Sequence, residues 1–254
     1  MKATGYEKLA LFYDLLMQGI DYEAWTAYVE ELIVRSQGEI YSVLDLACGT
    51  GNSTIPWLKR GYRVIGLDLS DEMLNIARRK TAEQGYRIDF EQGDLCCFRL
   101  PDQVDLAVCF QDGFNYILDL KDLQSAFQSV YRSLNEGGFF VFDLNYLPRL
   151  LADNEELFTA EEDGYSLSWR TKYIEEEQLW EIHIEGKIKG DRGEQEEYFS
   201  EIHKERIYDG EDIVPLLSAS GFTEMKTYRS FTFYAPDQRT PRVVYLAQKS
   251  VPEE

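Results

Sequence analysis

The sequence predicts an α/β protein: a doubly wound, mostly parallel sheet of seven strands, interrupted late in the chain by a small antiparallel β-sheet. Three observations carry this. Short apolar runs alternate with helix-period patterns through the first 145 residues. The first run, Tyr41 to Ala47, ends in two closely spaced glycines, Gly49 and Gly51. A period-two pattern then returns in an acidic stretch after residue 150.

Val43, Leu44, Leu46 and Ala47 read as a buried parallel strand, and Gly49 and Gly51 let the chain turn with its N–H groups exposed at the start of the next helix. The dinucleotide fingerprint asks for a third glycine at position 54, where this chain has Thr54. A second strand, Arg63 to Ser70, places Asp68 at its end, where a carboxylate takes a ribose diol. Ser70 caps a helix with Asp71 and Glu72 in its first turn and Met73, Leu74, Ile76 and Ala77 on its apolar face. A third strand, Ile88 to Leu95, ends at Gly93-Asp94, a second acceptor suited to an adenine amino group. The fourth, Val104 to Phe110, runs into the loop Gln111 to Tyr116. A helix with Leu120, Leu123, Phe127, Val130 and Leu134 on its apolar face leads to the fifth, Gly137 to Asn145. Thr223–Phe231 and Val243–Gln248 complete the sheet, after a short helix from Glu211 to Ala219 in which Pro215 is an awkward residue.

In the acidic stretch Leu167, Trp169, Thr171 and Tyr173 alternate with polar residues, as do Trp180, Ile182, Ile184 and Ile188. With a turn at Lys189–Gly193 and a strand from Tyr198 to Tyr208, the pattern predicts a three-stranded antiparallel meander whose Trp169 and Trp180 face is covered. Either the main domain or a copy of the same face would serve, and an isologous homodimer through the insertion is a secondary expectation. The predicted organisation is one main domain, residues 1–149 and 210–254, with an inserted β subdomain at 150–209.

DLACGTGNST, GLDLSDEML, GDL, CFQDGFNYI and LNEGGFFVFDLN, in this order, resemble the successive signature segments of the class I S-adenosylmethionine-dependent methyltransferases, which have a Rossmann-like fold. The resemblance covers about residues 40–145. YEKLALFYDLLM near the start and HKERIYDGEDIVPLLSASGF near the end resemble more closely the bacterial small-molecule group that methylates sugar amines and glycine. The resemblance implies S-adenosyl-L-methionine as cofactor, S-adenosyl-L-homocysteine as product, and an insertion that roofs the acceptor pocket. It implies cofactor contacts from Asp45, Ala47, Gly49, Thr50, Gly51, Asp68, Leu69, Asp94 and Leu95, with Met73 and Phe110 on either side of the adenine and Tyr13 beside the methionine moiety. Asn115 and Tyr116 match positions facing the acceptor, and His203 lies in a segment bordering it. His183 falls among the glutamates of its strand and is expected at the surface.

Composition sets the remaining expectations. Lys and Arg number 26 against 46 Asp and Glu, a net charge of −20, and residues 153–211 hold 19 acidic and 7 basic residues, hence −12 of it. No basic stripe is present to replace counterions, so nucleic acid is disfavoured as a partner and a small-molecule acceptor is expected. A tRNA- or RNA-modifying methyltransferase is the alternative, and a non-catalytic S-adenosylmethionine-binding module the next. No signal-like segment opens the chain and no apolar run reaches the ~18 residues of a membrane helix, so a cytoplasmic protein without membrane contact is expected. Cys48, Cys96, Cys97 and Cys109 contain no C-x-x-C spacing and read as reduced thiols near strand ends, with no metal site expected.

Overall fold

The computed structural model describes residues 9–147, 156–162, 165–188 and 197–251. The main sheet has the strand order β10-β11-β5-β4-β1-β2-β3. β1 (Ser42–Leu46), β2 (Arg63–Asp68), β3 (Asp89–Gln92), β4 (Val104–Cys109) and β5 (Leu134–Asn145) run parallel, while β11 (Arg242–Gln248) pairs antiparallel with β5 and β10 (Lys226–Arg229) antiparallel with β11. The order reverses between β1 and β4, and a ligand crevice forms outside the strand ends at such a switch point.

Strand parity sorts the core into two layers. On one face Val43, Val64, Leu106, Val108, Phe139 and Val141 pack on Trp25, Tyr28, Val29, Leu32 and Ile33 of α2 (Tyr22–Arg35). On the other, Leu44, Leu46, Ala107, Phe140 and Phe142 pack on Leu123, Phe127 and Val130 of α5 (Leu120–Ser133) and on Ile213 and Leu217 of α6 (Gly210–Ala219). Helix ends follow the sequence: the Ser70 side chain accepts from Met73 N–H at the start of α4 (Asp71–Glu83), and Asp119 accepts from Lys121 N–H at the start of α5. α6 runs through Pro215, which is exposed, and the carbonyl lacking its partner belongs to exposed Glu211.

Several boundaries differ from expectation. β3 ends at Gln92, because the Asp94 carboxylate accepts Cys96 N–H at 2.9 Å and turns the chain. β10 stops at Arg229, and Phe231 has a φ of +57°, which no strand continues through.

The insertion has four antiparallel strands, not three: β6 (Glu156–Glu162), β7 (Tyr165–Ile174), β8 (Leu179–Ile188) and β9 (Glu197–Arg206). The expected turn at 189–193 lies outside the described residues. The register sets Trp169 opposite Ile184 and Ile184 opposite Glu201, Thr171 opposite Ile182 and Ile182 opposite His203, and Tyr173 opposite Trp180 and Trp180 opposite Glu205. One face therefore carries the aromatic residues and also Glu201, His203 and Glu205. Leu167, Thr171, Ile184, His203 and Glu205 on it are buried, while Trp169 and Trp180 are half-buried. It turns toward the main domain: Phe12 stacks on Phe199 at 5.7 Å, and Tyr116 meets His203 edge-on at 6.1 Å. The main domain thus covers part of this face, one of the two covers expected for it.

Candidate active site

The loop after β1 is built on left-handed backbone. Ala47, Gly49 and Gly51 have φ of +50°, +53° and +80°, and a Cβ at Gly51 would stand 3.2 Å from that of Ala77 on α4. Asp45 anchors it from below, fully buried, its Oδ2 accepting from Ser53 Oγ at 2.8 Å and Thr54 Oγ1 at 2.6 Å. That is why Thr54 stands where the dinucleotide fingerprint has glycine. Burial, opposed by these two hydroxyls, pushes the Asp45 carboxyl up to about 7. Its Oδ1 is buried without a hydrogen-bond partner among the described residues.

Asp68 closes the loop from the side. Its Oδ2 accepts Gly49 N–H at 2.8 Å and its Oδ1 accepts Ser70 N–H at 2.9 Å. Burial raises its carboxyl above the ordinary value despite these bonds. Each oxygen keeps a lone pair, and the residue is half-buried, with part of its surface open at the strand end. Leu69, 44% exposed, buried Met73, and half-buried Asp94 and Leu95 stand in the segments that follow β2 and β3. This set fits an adenosyl group: a glycine turn with no side chain in the way, an acceptor for a diol, an acceptor for an amino group and apolar surface between them.

Phe110 does not belong to it. It shares parity with Leu106 and Val108, and its ring stacks on Trp25 at 5.2 Å in the α2 layer. This corrects its expected place against adenine.

A Cβ added to Gly49 would sit 3.7 Å from Tyr13 Cε1, so the Tyr13 ring lies over the loop. Next to it, Asp14 binds a latch that sequence reading does not find. Its Oδ1 accepts from Thr50 Oγ1 at 2.5 Å and Asn52 Nδ2 at 2.9 Å, and its Oδ2 from Lys80 Nζ at 2.7 Å. Burial works against the Asp14 carboxylate, but the Lys80 ammonium and the other donors hold it below its usual value. Thr50 therefore spends its hydroxyl on the latch. A cavity of about 540 Å³ lined by Ile20, Tyr22, Asn52, Pro56, Lys59 and Lys80 adjoins its outer side.

On the acceptor side the expected residues separate. Asn115 is fully buried, its Nδ2 donating to the Arg206 carbonyl at 2.8 Å and its Oδ1 accepting Asn145 N–H at 3.1 Å. The amide is bonded at both ends and has no exposed surface, so Asn115 clamps the loop to β5 and β9 and does not face an acceptor, a correction to its expected role. Tyr116 is half-buried against His203, whose Nε2 lies 3.3 Å from Glu201 Oε2. His183 is exposed, as its parity predicts. Three further acids meet here unannounced: Asp143 and Asp112 both accept from Arg242, and Glu205 lies close by.

All four cysteines are free, and burial pushes the thiols of Cys48 and Cys109 far up, so neither is a nucleophile at neutral pH. Among the described residues no group of His, Cys, Asp and Glu is arranged to hold a metal ion, and no helix is long and apolar enough to cross a membrane.

Comparison with known proteins agrees with this crevice. Residues 43–138 match a family described as a methyltransferase domain. The crystal structure of an S-adenosylmethionine-dependent methyltransferase from Clostridium acetobutylicum is 30% identical, with a TM-score of 0.82, covering 97% of this chain and 99% of that one. A dTDP-3-amino-3,4,6-trideoxy-alpha-D-glucopyranose N,N-dimethyltransferase of Streptomyces venezuelae is 26% identical over 212 residues, 83% of this chain and 86% of that protein. The sugar N-methyltransferase KedS8 from Streptoalloteichus shares the fold at a TM-score of 0.78 and 21% identity, covering 94% of this chain and 93% of that one. With its switch-point crevice, its glycine cradle and these relatives, the chain belongs to the S-adenosylmethionine-dependent methyltransferases.

Proposed function

We propose that the protein moves a methyl group to the nitrogen of a small-molecule amine held between the ends of β4 and β5 and the inward face of the inserted sheet. The observation that carries this reading is the placement of that sheet. Asn115 ties the loop after β4 to the end of β9, and Tyr116 meets His203 beneath it. The face that the sheet turns inward carries acids and aromatic side chains, a poor bed for a polyanion and a good one for an amine. The kinship with an amino-sugar N,N-dimethyltransferase supports the same choice. The cytoplasm is the compartment we assign.

S-adenosylmethionine, when bound, supplies an electrophilic methyl group. The work of this chain is then alignment and exclusion of water, for which positioning supplies roughly 7–11 kcal/mol. In our reading Gly49 and Gly51 supply a turn without side chains that lets the donor approach the backbone, Asp68 takes the ribose diol, and Asp94 takes the adenine amino group between Leu69, Met73 and Leu95. Ala47 shapes the loop, Asp45 fixes it, and Tyr13 covers the methionine end. Tyr116 and His203 orient the acceptor, and Asn115 is a positioning residue behind them.

The test is transfer of labelled methyl from S-adenosylmethionine into a fractionated small-molecule extract and, in parallel, into bulk tRNA. Label in a low-mass amine, identified by mass, is expected. Label confined to RNA would replace this reading with the RNA-modifying one.

A further inference from the structure

Glu205 is 3% exposed, and its Oε2 is buried with no hydrogen-bond partner. Such an oxygen is costly to withdraw from water unless something binds it. The charges around it do not balance. One guanidinium, Arg242 on β11, faces Asp112 in the loop after β4, Asp143 on β5 and Glu205 on β9. Arg242 is committed elsewhere: Nη1 donates to both Asp112 and Asp143, and Nη2 donates to Asp112 Oδ2 at 3.2 Å. Asp143 also accepts Gln111 N–H at 2.9 Å. Glu205 shares that one cation, without a hydrogen bond to it, with two aspartates that are bonded to it. Burial and the neighbouring acids, opposed by Arg242 and the Asn145 side chain, push it well above the ordinary carboxylate range, and burial pushes Asp143 up to about 6.

The inserted sheet supplies the other half of a cation site. Trp180 stands directly opposite Glu205 and Tyr173 opposite Trp180, while His203 and Glu201 follow on the same face of β9. Facing side chains in such a ladder start ~4.5–5.5 Å apart at Cβ. A carboxylate beside aromatic rings is the combination that recognises ammonium ions, alkylated ones included. The N-terminal segment bounds the far end of this face, with Leu9 N–H donating to Glu201 Oε1 at 3.2 Å and Phe12 on Phe199.

We propose that Glu205, with Trp180 and Tyr173 beside it, is the specificity-determining site of the acceptor and takes that acceptor as an ammonium ion. This rests on the small-molecule amine reading and names the group that does the recognising. In the empty protein Glu205 holds a proton, which an entering ammonium displaces to solvent. The bound ammonium then passes one of its own protons to the Glu205 carboxylate. The nitrogen lone pair so freed forms the new N–C bond as the donor's C–S bond breaks, with that bond's electron pair remaining on sulfur. The product leaves as a methylated ammonium, and Glu205 keeps the proton it received, which restores the empty protein; the one proton the reaction releases is the one displaced on binding.

The experiment titrates the full chain, saturated with S-adenosylhomocysteine, with cyclohexylammonium and with cyclohexanol by calorimetry, in two buffers of different ionisation enthalpy. The wild type is expected to bind the ammonium with release of a proton and to bind the alcohol far more weakly. Glu205→Gln should weaken the ammonium about ten- to a hundredfold and abolish proton release while keeping its affinity for S-adenosylhomocysteine. Glu205→Asp should restore proton release. Absence of ammonium binding or of proton release in the wild type overturns the proposal even if Glu205→Gln does not fold, as does equal binding by wild type and a folded Glu205→Gln. The two readings fail separately: ammonium binding dependent on Glu205 with no amine labelled in the extract retires the proposed reaction, and a labelled amine with binding indifferent to Glu205 retires this site.

Discussion

Replacing Asp68 by Asn separates two duties of one side chain. The carboxylate ties Gly49 N–H at 2.8 Å and Ser70 N–H at 2.9 Å, and in our reading its remaining lone pairs take the ribose diol. Asparagine has one oxygen, so one of the two backbone bonds is lost. A hydrogen bond to a charged group is worth about 1.5–3 kcal/mol, which at about 2–4 °C per kcal/mol lowers Tm by roughly 3–12 °C in a chain of this size. The diol contact is a loss of the same order, about ten- to a hundredfold in affinity for S-adenosylhomocysteine. Calorimetry with that ligand and with its 2′,3′-dideoxy analogue tells the effects apart. Removing the diol should cost the wild type ten- to a hundredfold and cost Asp68→Asn little more. If diol removal costs both proteins the same factor, Asp68 holds only the loop and the assignment fails.

Asn115→Ala strips partners from a buried carbonyl and a buried N–H, so denaturant unfolding should show a loss of about 2–6 kcal/mol; an unchanged midpoint would deny the clamp. Lys80→Met opens the latch on Asp14 at a global cost under about 1 kcal/mol, because both partners are partly exposed, yet it should speed proteolytic cutting near residues 12–18; unchanged cutting contradicts the latch. Asp45 has its carboxyl raised from 3.8 to about 7 in the folded state, so the folded protein holds the extra proton and its contribution to stability is full below about 4 and is lost as pH rises through 7, by up to about 4 kcal/mol. Asp45→Asn should flatten that slope in unfolding measured across this range, and an unaltered slope would count against it. His203→Ala should slow methyl transfer by less than the ~10²–10⁴ of a lost general base, while Tyr13→Phe slows it without altering Tm; a thousandfold loss at His203 with donor affinity intact would make the histidine the base.

Local features carry most of what the sequence reveals. The β1 loop, the Ser70 cap and the α5 stripe are readable because their causes lie within a few residues, and the seven strands follow from runs whose length and flanks agree. α2 escapes that reading, although Trp25, Tyr28, Val29, Leu32 and Ile33 hold helical spacing. The place of Phe110 was also legible, since it follows Leu106 and Val108 in parity. The latch and the acid cluster are not, because Asp14 and Lys80 stand 66 residues apart and Arg242 and Asp112 130 apart, distances that only the closed fold removes. Asn115 misleads for the same reason: its partners are backbone groups of Asn145 and Arg206, and no side-chain pattern announces them. β6 hides in a Glu-rich segment whose strand character shows only in its pairing with β7.

The crystal structure of this protein with S-adenosylhomocysteine bound tests the central claim most directly. The account predicts the ribose diol on Asp68, the adenine amino group at Asp94, and the homocysteine sulfur beneath Tyr13, aimed at the space between Tyr116 and Glu205. A ligand seated instead in the cavity beside Lys59 and Lys80, or one whose sulfur points away from the inserted sheet, would contradict it.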